Sequence, residues 1–266
     1  MIEIEMALDG ASMQYGDDVY KTRLPASAVG NDCNRALFYM FRWCKAANFT
    51  PKQLRVFHMG DVIEAETKEL LKRAGYVFSQ LHDVAISSPH GHLGGKPDGI
   101  IVFKDFNVLL EIKSADNSEF NAIVKHGMKK QKPKHWAQIC IYGSDLKIPM
   151  YLYVLVNKND QSIHIEYGEI DFEFGEKMRQ KADKVIFAKI IPEKVSQSAT
   201  STKCKLCSYN PICHSGQPID KNCRSCKHAS PIAGMQWHCA LFSDTQGPIP
   251  KDFIPGACPS WEPIAK

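Results

Sequence analysis

The sequence has little net charge and no long apolar run. Thirty-three Lys and Arg face 29 Asp and Glu, a formal net charge of +4 over 266 residues, so charge alone does not announce a nucleic-acid partner. No apolar stretch approaches the length of a membrane span. The opening decapeptide MIEIEMALDG is acidic and lacks the pattern of a secretory signal. No internal repeat and no low-complexity tract occurs, which excludes repeat arrays and fibrous classes. The expectation is a soluble protein of a reducing compartment, the cytoplasm of a bacterium or of a phage-infected host. With 44% hydrophobic and 10% aromatic residues, the chain can bury a real core. Its length suits one medium domain and a small one.

What is present concentrates in GGKPDGIIVFKDFNVLLEIKSAD, residues Gly94 to Asp116. Gly99–Phe103 and Val108–Lys113 read as two apolar, β-branched strands around turn residues Lys104 to Asn107. A hairpin closed there sets Asp98 opposite Glu111–Lys113. Strand side chains alternate, so Glu111 and Lys113 share one face and Ile112 points away. Buried carboxylates pair or hold a metal. Two oxygen donors suit Mg²⁺ or Mn²⁺, and a lysine beside them could orient a water for phosphodiester hydrolysis. An edge hairpin with solvated charges and a single Glu–Lys pair fits the same stretch.

Pro97-Asp98, twelve intervening residues and Glu111-Ile112-Lys113 resemble the signature of the PD-(D/E)XK nuclease superfamily. Two flanking segments extend the resemblance to its RecB-like branch. In HMGDVIEAETKELLKRAG, Glu64 stands four residues after Gly60 on a helical pattern, where that branch carries an acid or, more commonly, a His. In KPKHWAQICIYG, Gln138 and Tyr142 lie four apart, on one helix face, like the Gln-x-x-x-Tyr accessory motif. The resemblance implies a restriction-endonuclease-like α/β core, a mixed central sheet flanked by helices. It implies that Glu64, Asp98, Glu111 and the Ile112 carbonyl coordinate Mg²⁺ or Mn²⁺, and that Lys113 activates water. It further implies that Gln138 braces the site and Tyr142 contacts the strand. The activity implied is a DNA nuclease with exonuclease action on single-stranded or end-bearing duplex DNA. A catalytically weak DNA-binding or scaffolding member of the superfamily is the alternative. The lysine-rich stretch Lys125–Trp136, five lysines and no acid, would attract phosphates beside such a pocket or form a solvated loop.

Clustered cysteines in a reducing compartment mean metal more often than disulfide. Cys204, Cys207 and Cys213 form C-x₂-C-x₅-C and need a fourth ligand, for which Cys33 is a candidate. One cysteine before the core and three after it resemble the iron–sulfur branch of RecB-like nucleases, which includes the CRISPR adaptation nucleases. That likeness implies a [4Fe–4S] cluster; four thiolates also suit Zn²⁺. Cys223, Cys226, Cys239 and Cys258 read separately as a structural Zn²⁺ site, with His228 and His238 as alternates. That tail is rich in Pro and Gly and poor in core residues. The expected domains are therefore 1–216, a nuclease domain with an iron–sulfur staple, and 217–266, a Cys₄ module. Trp237 and Trp261 suit packing better than base stacking, and Cys44 and Cys140 read as core residues. Recombination, repair, phage DNA processing and CRISPR adaptation, with a protein partner from one of them, all fit.

Coarse patterning gives an irregular stretch over 1–25 and one helix over 26–45 carrying Cys33. A catalytic helix near 57–74, a strand near 76–86, the hairpin and helices around 118–126 and Gln138 follow. Strands at 150–156 and 162–170 and a helix over 172–190 capped by Asp171 complete the pattern.

Overall fold

The computed structural model describes residues 2–16, 19–80, 85–242 and 247–264. In chain order the elements are α1 (Ile2–Ser12), β1 (Leu24–Pro25), α2 (Ala26–Val29), α3 (Asn34–Phe41), α4 (Pro51–Arg73), β2 (Val77–Phe78), β3 (Ile86–Ser87) and β4 (Leu93–Gly95). There follow β5 (Gly99–Phe103), β6 (Phe106–Ala115), α5 (Asn117–His126), α6 (Met128–Gln131), α7 (Pro133–Leu146), β7 (Met150–Asn157), β8 (Ile163–Glu169) and α8 (Phe172–Ile186). The chain ends with α9 (Asn210–Ser215), β9 (Ala229–Ile232) and β10 (Gln236–Cys239). None of the described helices is long and apolar enough to cross a membrane.

Contacts divide the chain into two compact units. The first comprises Met1–Val19, Ala47–Ala85 and Lys96–Glu176. Its sheet has the order β2-β5-β6-β7-β8. β6 and β7 are parallel and every other neighbouring pair is antiparallel, so the sheet is mixed, as expected. The β5–β6 hairpin closes on Lys104 and Asp105, both at positive φ (49° and 66°), the backbone twist that two-residue hairpin turns require. Ile101, Val108, Leu110, Ile112 and Val154 form a buried core against which Leu71, Tyr76 and Phe78 pack.

The helix expected from Phe57 starts at Pro51. Thr50 is its cap: Gln53 N–H donates to Thr50 Oγ1 at 3.3 Å, and Thr50 N–H donates to Gln53 Oε1 at 2.9 Å, a reciprocal capping box. Gly75, at φ +89°, ends it. α7 is held by a close approach. A Cβ on Gly175, in the first turn of α8, would lie 2.3 Å from the Cys140 carbonyl oxygen. Only glycine fits there. Asp171 caps α8 as expected, accepting from Phe174 N–H at 2.8 Å.

Four expectations are corrected. Residues 2–12 are helical, not irregular, with Glu3 and Glu5 in the first turn where the helix dipole favours acids. The helix expected over 26–45 is broken. Asn31 Oδ1 accepts from Cys33 N–H at 2.9 Å, a local turn that competes with helix. Cys33 therefore precedes α3 as its extended N-cap. The strand expected over 76–86 is two short strands, β2 and β3, and residues 81–84 between them lie outside the described residues. α8 stops at Ile186, four residues early; Pro192 lies just beyond.

The second unit comprises Tyr20–Ala46, Ile86–Gly95 and Lys177–Lys266. It holds the three-stranded sheet β1-β4-β3 and the β9–β10 hairpin. Arg224 is buried with its guanidinium 4.4 to 4.7 Å from the rings of Phe41, Trp43 and Trp237. Its Nη1 donates to the Thr22 carbonyl at 3.1 Å. Trp237 is only 1% exposed, which leaves it no face for a base. Cys44 and Cys140 are buried, as expected.

His92 is sealed within this unit between Phe41, Trp237, Phe187 and His90. Its Nε2 bonds the Ile232 carbonyl at 2.8 Å, and its Nδ1 has no hydrogen-bond partner among the described residues. Burial, with Arg224 and His90 adding repulsion, pushes its pKa down to about 4. The unfolded chain binds a proton there near 6.5 and the folded chain does not, so stability falls as pH drops from about 6.5 to about 4. A denaturant-midpoint series against pH should show this slope in the wild type. His92→Gln should flatten it by about one proton; an unchanged slope refutes the assignment.

Candidate active site

Four short-range features build the site on the first unit. The β5–β6 register pairs Gly99 with Leu110, which sets Asp98 across from Glu111 and beside Ile112. Ile112 N–H donates to Asp98 Oδ2 at 2.6 Å. Glu111 and Lys113, two apart, share a face, while Ile112 enters the core on the other.

The Lys113 ammonium is the focus. Its Nζ lies 2.5 Å from Glu111 Oε1, 2.9 Å from the Ile112 carbonyl oxygen and 3.4 Å from Asp98 Oδ2. These three oxygens are the ones the sequence motif offers to a cation. Glu111 is fully buried, and its contact with Lys113 is an ion pair without hydrogen-bond geometry. Among the described residues neither of its oxygens has a hydrogen-bond partner. Burial drives the Glu111 carboxyl up, and the nearby Asp98 and Glu64 charges add to this against the pull of Lys113. Asp98 is pushed up by burial first, then pulled back by Lys113 and raised again by Glu64. The Lys113 charge is opposed by burial but held well above its usual range by Glu111 and Asp98.

Glu64, on α4, is therefore within electrostatic reach of both carboxylates. Its own ion pair is to Lys68 at 2.5 Å, one turn along. Lys68 has no counterpart in the sequence reading; its spacing of four from Glu64 is the signal that could have found it. From α7, Gln138 and Tyr142 are both buried and meet each other, Gln138 Nε2 donating to Tyr142 Oη at 3.5 Å. Burial and then the Glu111 charge raise the Tyr142 hydroxyl. Tyr142 is 3% exposed and close to Glu111.

No family model and no curated protein matches the chain. Among solved structures it is similar to an alkaline exonuclease, LHK-Exo, from Laribacter hongkongensis. The match has 16% identity over 68% of this chain and 90% of that one, with a TM-score of 0.47. The same exonuclease in complex with dAMP matches at 14% identity over 62% of this chain and 86% of that one, with a TM-score of 0.46. The protein SSO0001 matches at 14% identity over 79% of this chain and 96% of that one, with a TM-score of 0.49. Likeness this loose assigns no residue a role, which rests on the geometry.

As the side chains stand, no group of three or more His, Cys, Asp or Glu among the described residues could hold a metal ion. In the acidic site Lys113 takes the position between the oxygens. The donor set nevertheless suits a hard cation: all oxygen, buried, with Glu111 unsatisfied. The eight clustered cysteines lie in the second unit. Cys33, Cys204, Cys207 and Cys213 line one small cavity with Arg35 and Tyr39. Burial raises the Cys207 thiol, and Cys33, Cys204 and Cys213 raise it further. Cys223 is pushed up to about 11 by burial and then by Cys258, Cys226 and Cys239. The first four thus share a cavity and the second four are within electrostatic reach of one another, but neither set stands as a metal-holding group among the described residues; thiols are the donors that soft or borderline metals take. His228 bonds Glu262 at 2.9 Å, which engages it away from a ligand role.

Proposed function

We propose that the chain is a divalent-cation-dependent DNA nuclease of the PD-(D/E)XK type, RecB-like, with exonuclease action on DNA ends. One observation carries this reading. Asp98 Oδ2, Glu111 Oε1 and the Ile112 carbonyl, drawn from two strands, converge within 3.4 Å of a single atom, Lys113 Nζ. Structural ion pairs rarely need a fully buried carboxylate beside a second buried one. A site that must accept a cation does.

Asp98, Glu111 and the Ile112 carbonyl, with Glu64, would hold Mg²⁺ or Mn²⁺. When bound, the ion supplies charge neutralisation at the scissile phosphate and a more acidic water. The chain's own groups do the rest. Lys113, displaced from between the carboxylates, orients the attacking water and holds it as hydroxide. Ile112 N–H fixes Asp98 so that one carboxylate oxygen always faces the site. Gln138 and Tyr142 wall it from α7. The Lys125–Trp136 stretch collects the DNA backbone by charge.

The cysteine quartets are proposed as metal sites in the same spirit. Cys33, Cys204, Cys207 and Cys213 would hold a [4Fe–4S] cluster, and Cys223, Cys226, Cys239 and Cys258 a Zn²⁺ around which 217–266 folds. A cytoplasmic setting with recombination, repair or CRISPR partners accords with this reading.

End-labelled single- and double-stranded DNA incubated with Mn²⁺ tests the proposal. The expected result is a ladder shrinking from one end and abolished by chelator. Binding without cleavage would favour the scaffolding alternative.

A further inference from the structure

On α7, His135 stands three residues before Gln138 and seven before Tyr142, so all three share a face. Its Nδ1 lies 3.0 Å from the Tyr153 hydroxyl. Tyr153 is fully buried on β7, directly in register with Glu111 on β6. A histidine and a tyrosine that the catalytic motif does not include therefore stand beside Glu111 and Lys113.

The chemistry of the pair is constrained. The buried Tyr153 phenol has a hydrogen to give and Nδ1 can accept it, which puts the imidazole proton on Nε2. Lys113, Lys132 and Lys134 are close enough to repel a charge on the ring, which is half-buried. Among the described residues Nε2 takes no protein partner. The result is a fixed N–H donor, surrounded by lysines, with no acceptor of its own. Anionic oxygen is what such a donor lacks.

We propose that His135 is a strand-contacting residue, donating Nε2–H to a phosphate oxygen of DNA held at the Lys113 site, with Tyr153 as the positioning residue that fixes the tautomer. The inference rests on the nuclease reading and adds to it a substrate contact outside the acid–lysine motif. It also assigns a task to α7, whose Gln138 and Tyr142 are buried against each other.

Steady-state cleavage of end-labelled DNA by the full chain with Mn²⁺ tests it. His135→Ala should lower kcat/KM by about 10- to 100-fold, the scale of a hydrogen bond to a charged group. His135→Gln, which keeps an N–H near Nε2, should recover most of the loss. Tyr153→Phe should fall between them. Thermal midpoints of the two His135 variants should coincide, so that a purely structural role would impair both alike. Equal impairment of His135→Ala and His135→Gln, or His135→Ala within threefold of wild type, overturns the assignment. An inactive wild type strikes down the nuclease reading and this inference with it. An active wild type beside an unaffected His135→Ala strikes down only this one.

Discussion

Lys113→Ala is expected to lose cleavage by about 10²- to 10⁴-fold in kcat, the range of a positioned proton-transfer group, while DNA affinity changes little. The reason is positional. Lys113 Nζ touches three of the four candidate cation ligands, all but Glu64, so no other described ammonium occupies that point. Lys68 is committed to Glu64 and cannot substitute without breaking that pair. A second consequence separates this account from a plain ion-pair site. Without Lys113, two buried carboxylates face each other with nothing between them. The metal-free variant should therefore melt lower than wild type, and Mn²⁺ should raise its melting temperature more than it raises that of wild type. A structural salt bridge would lose stability without gaining metal response. Cleavage at wild-type rate by the variant would remove Lys113 from the chemistry.

Cys204→Ala is expected to abolish visible absorbance and bound iron in protein purified without oxygen, and to unfold much of the second unit. The four thiols Cys33, Cys204, Cys207 and Cys213 surround one cavity but come from segments about 170 residues apart in sequence. A cluster joining them closes a long loop, and metal-binding free energy becomes folding free energy. Cys204 is the most buried of the four, so its removal cannot be covered by solvent. The proposed cation ligands lie wholly on the first unit, so residual activity in the variant tracks how far that unit survives alone. Iron content, absorbance and the unfolding transition check the expectation. A colourless wild type carrying only zinc would overturn the iron–sulfur proposal and leave the staple argument to zinc.

The hairpin was legible because its signals are local. Alternating apolar residues, a two-residue turn and an acid at a fixed offset dictate the register without help from distant chain. The mixed character of the sheet was implied by the resemblance, and its strand order was not read at all. What was missed depends on competition between local options. Asn31 diverts the Cys33 N–H into a side-chain turn, which helix periodicity does not reveal. Thr50, Pro51 and Gln53 carried a readable start signal for α4 that the apolar pattern from Phe57 obscured. Arg224, stacked among aromatics far away in sequence, could not be read from any local pattern. His135 was visible only as one histidine in a lysine-rich run, although its spacing already placed it on the helix face of Gln138. The four-residue spacing of Gln138 and Tyr142 was legible as one helix face, whereas their burial against each other depends on packing that no local pattern gives.

The central claim is most directly tested by locating Mn²⁺ in crystals of the full chain by anomalous diffraction. A peak bonded to Asp98 and Glu111 carboxylates and the Ile112 carbonyl, with the Lys113 side chain moved aside, is the predicted result. Crystals grown with ample Mn²⁺ in which Lys113 still lies between those oxygens and no peak is found there would contradict it.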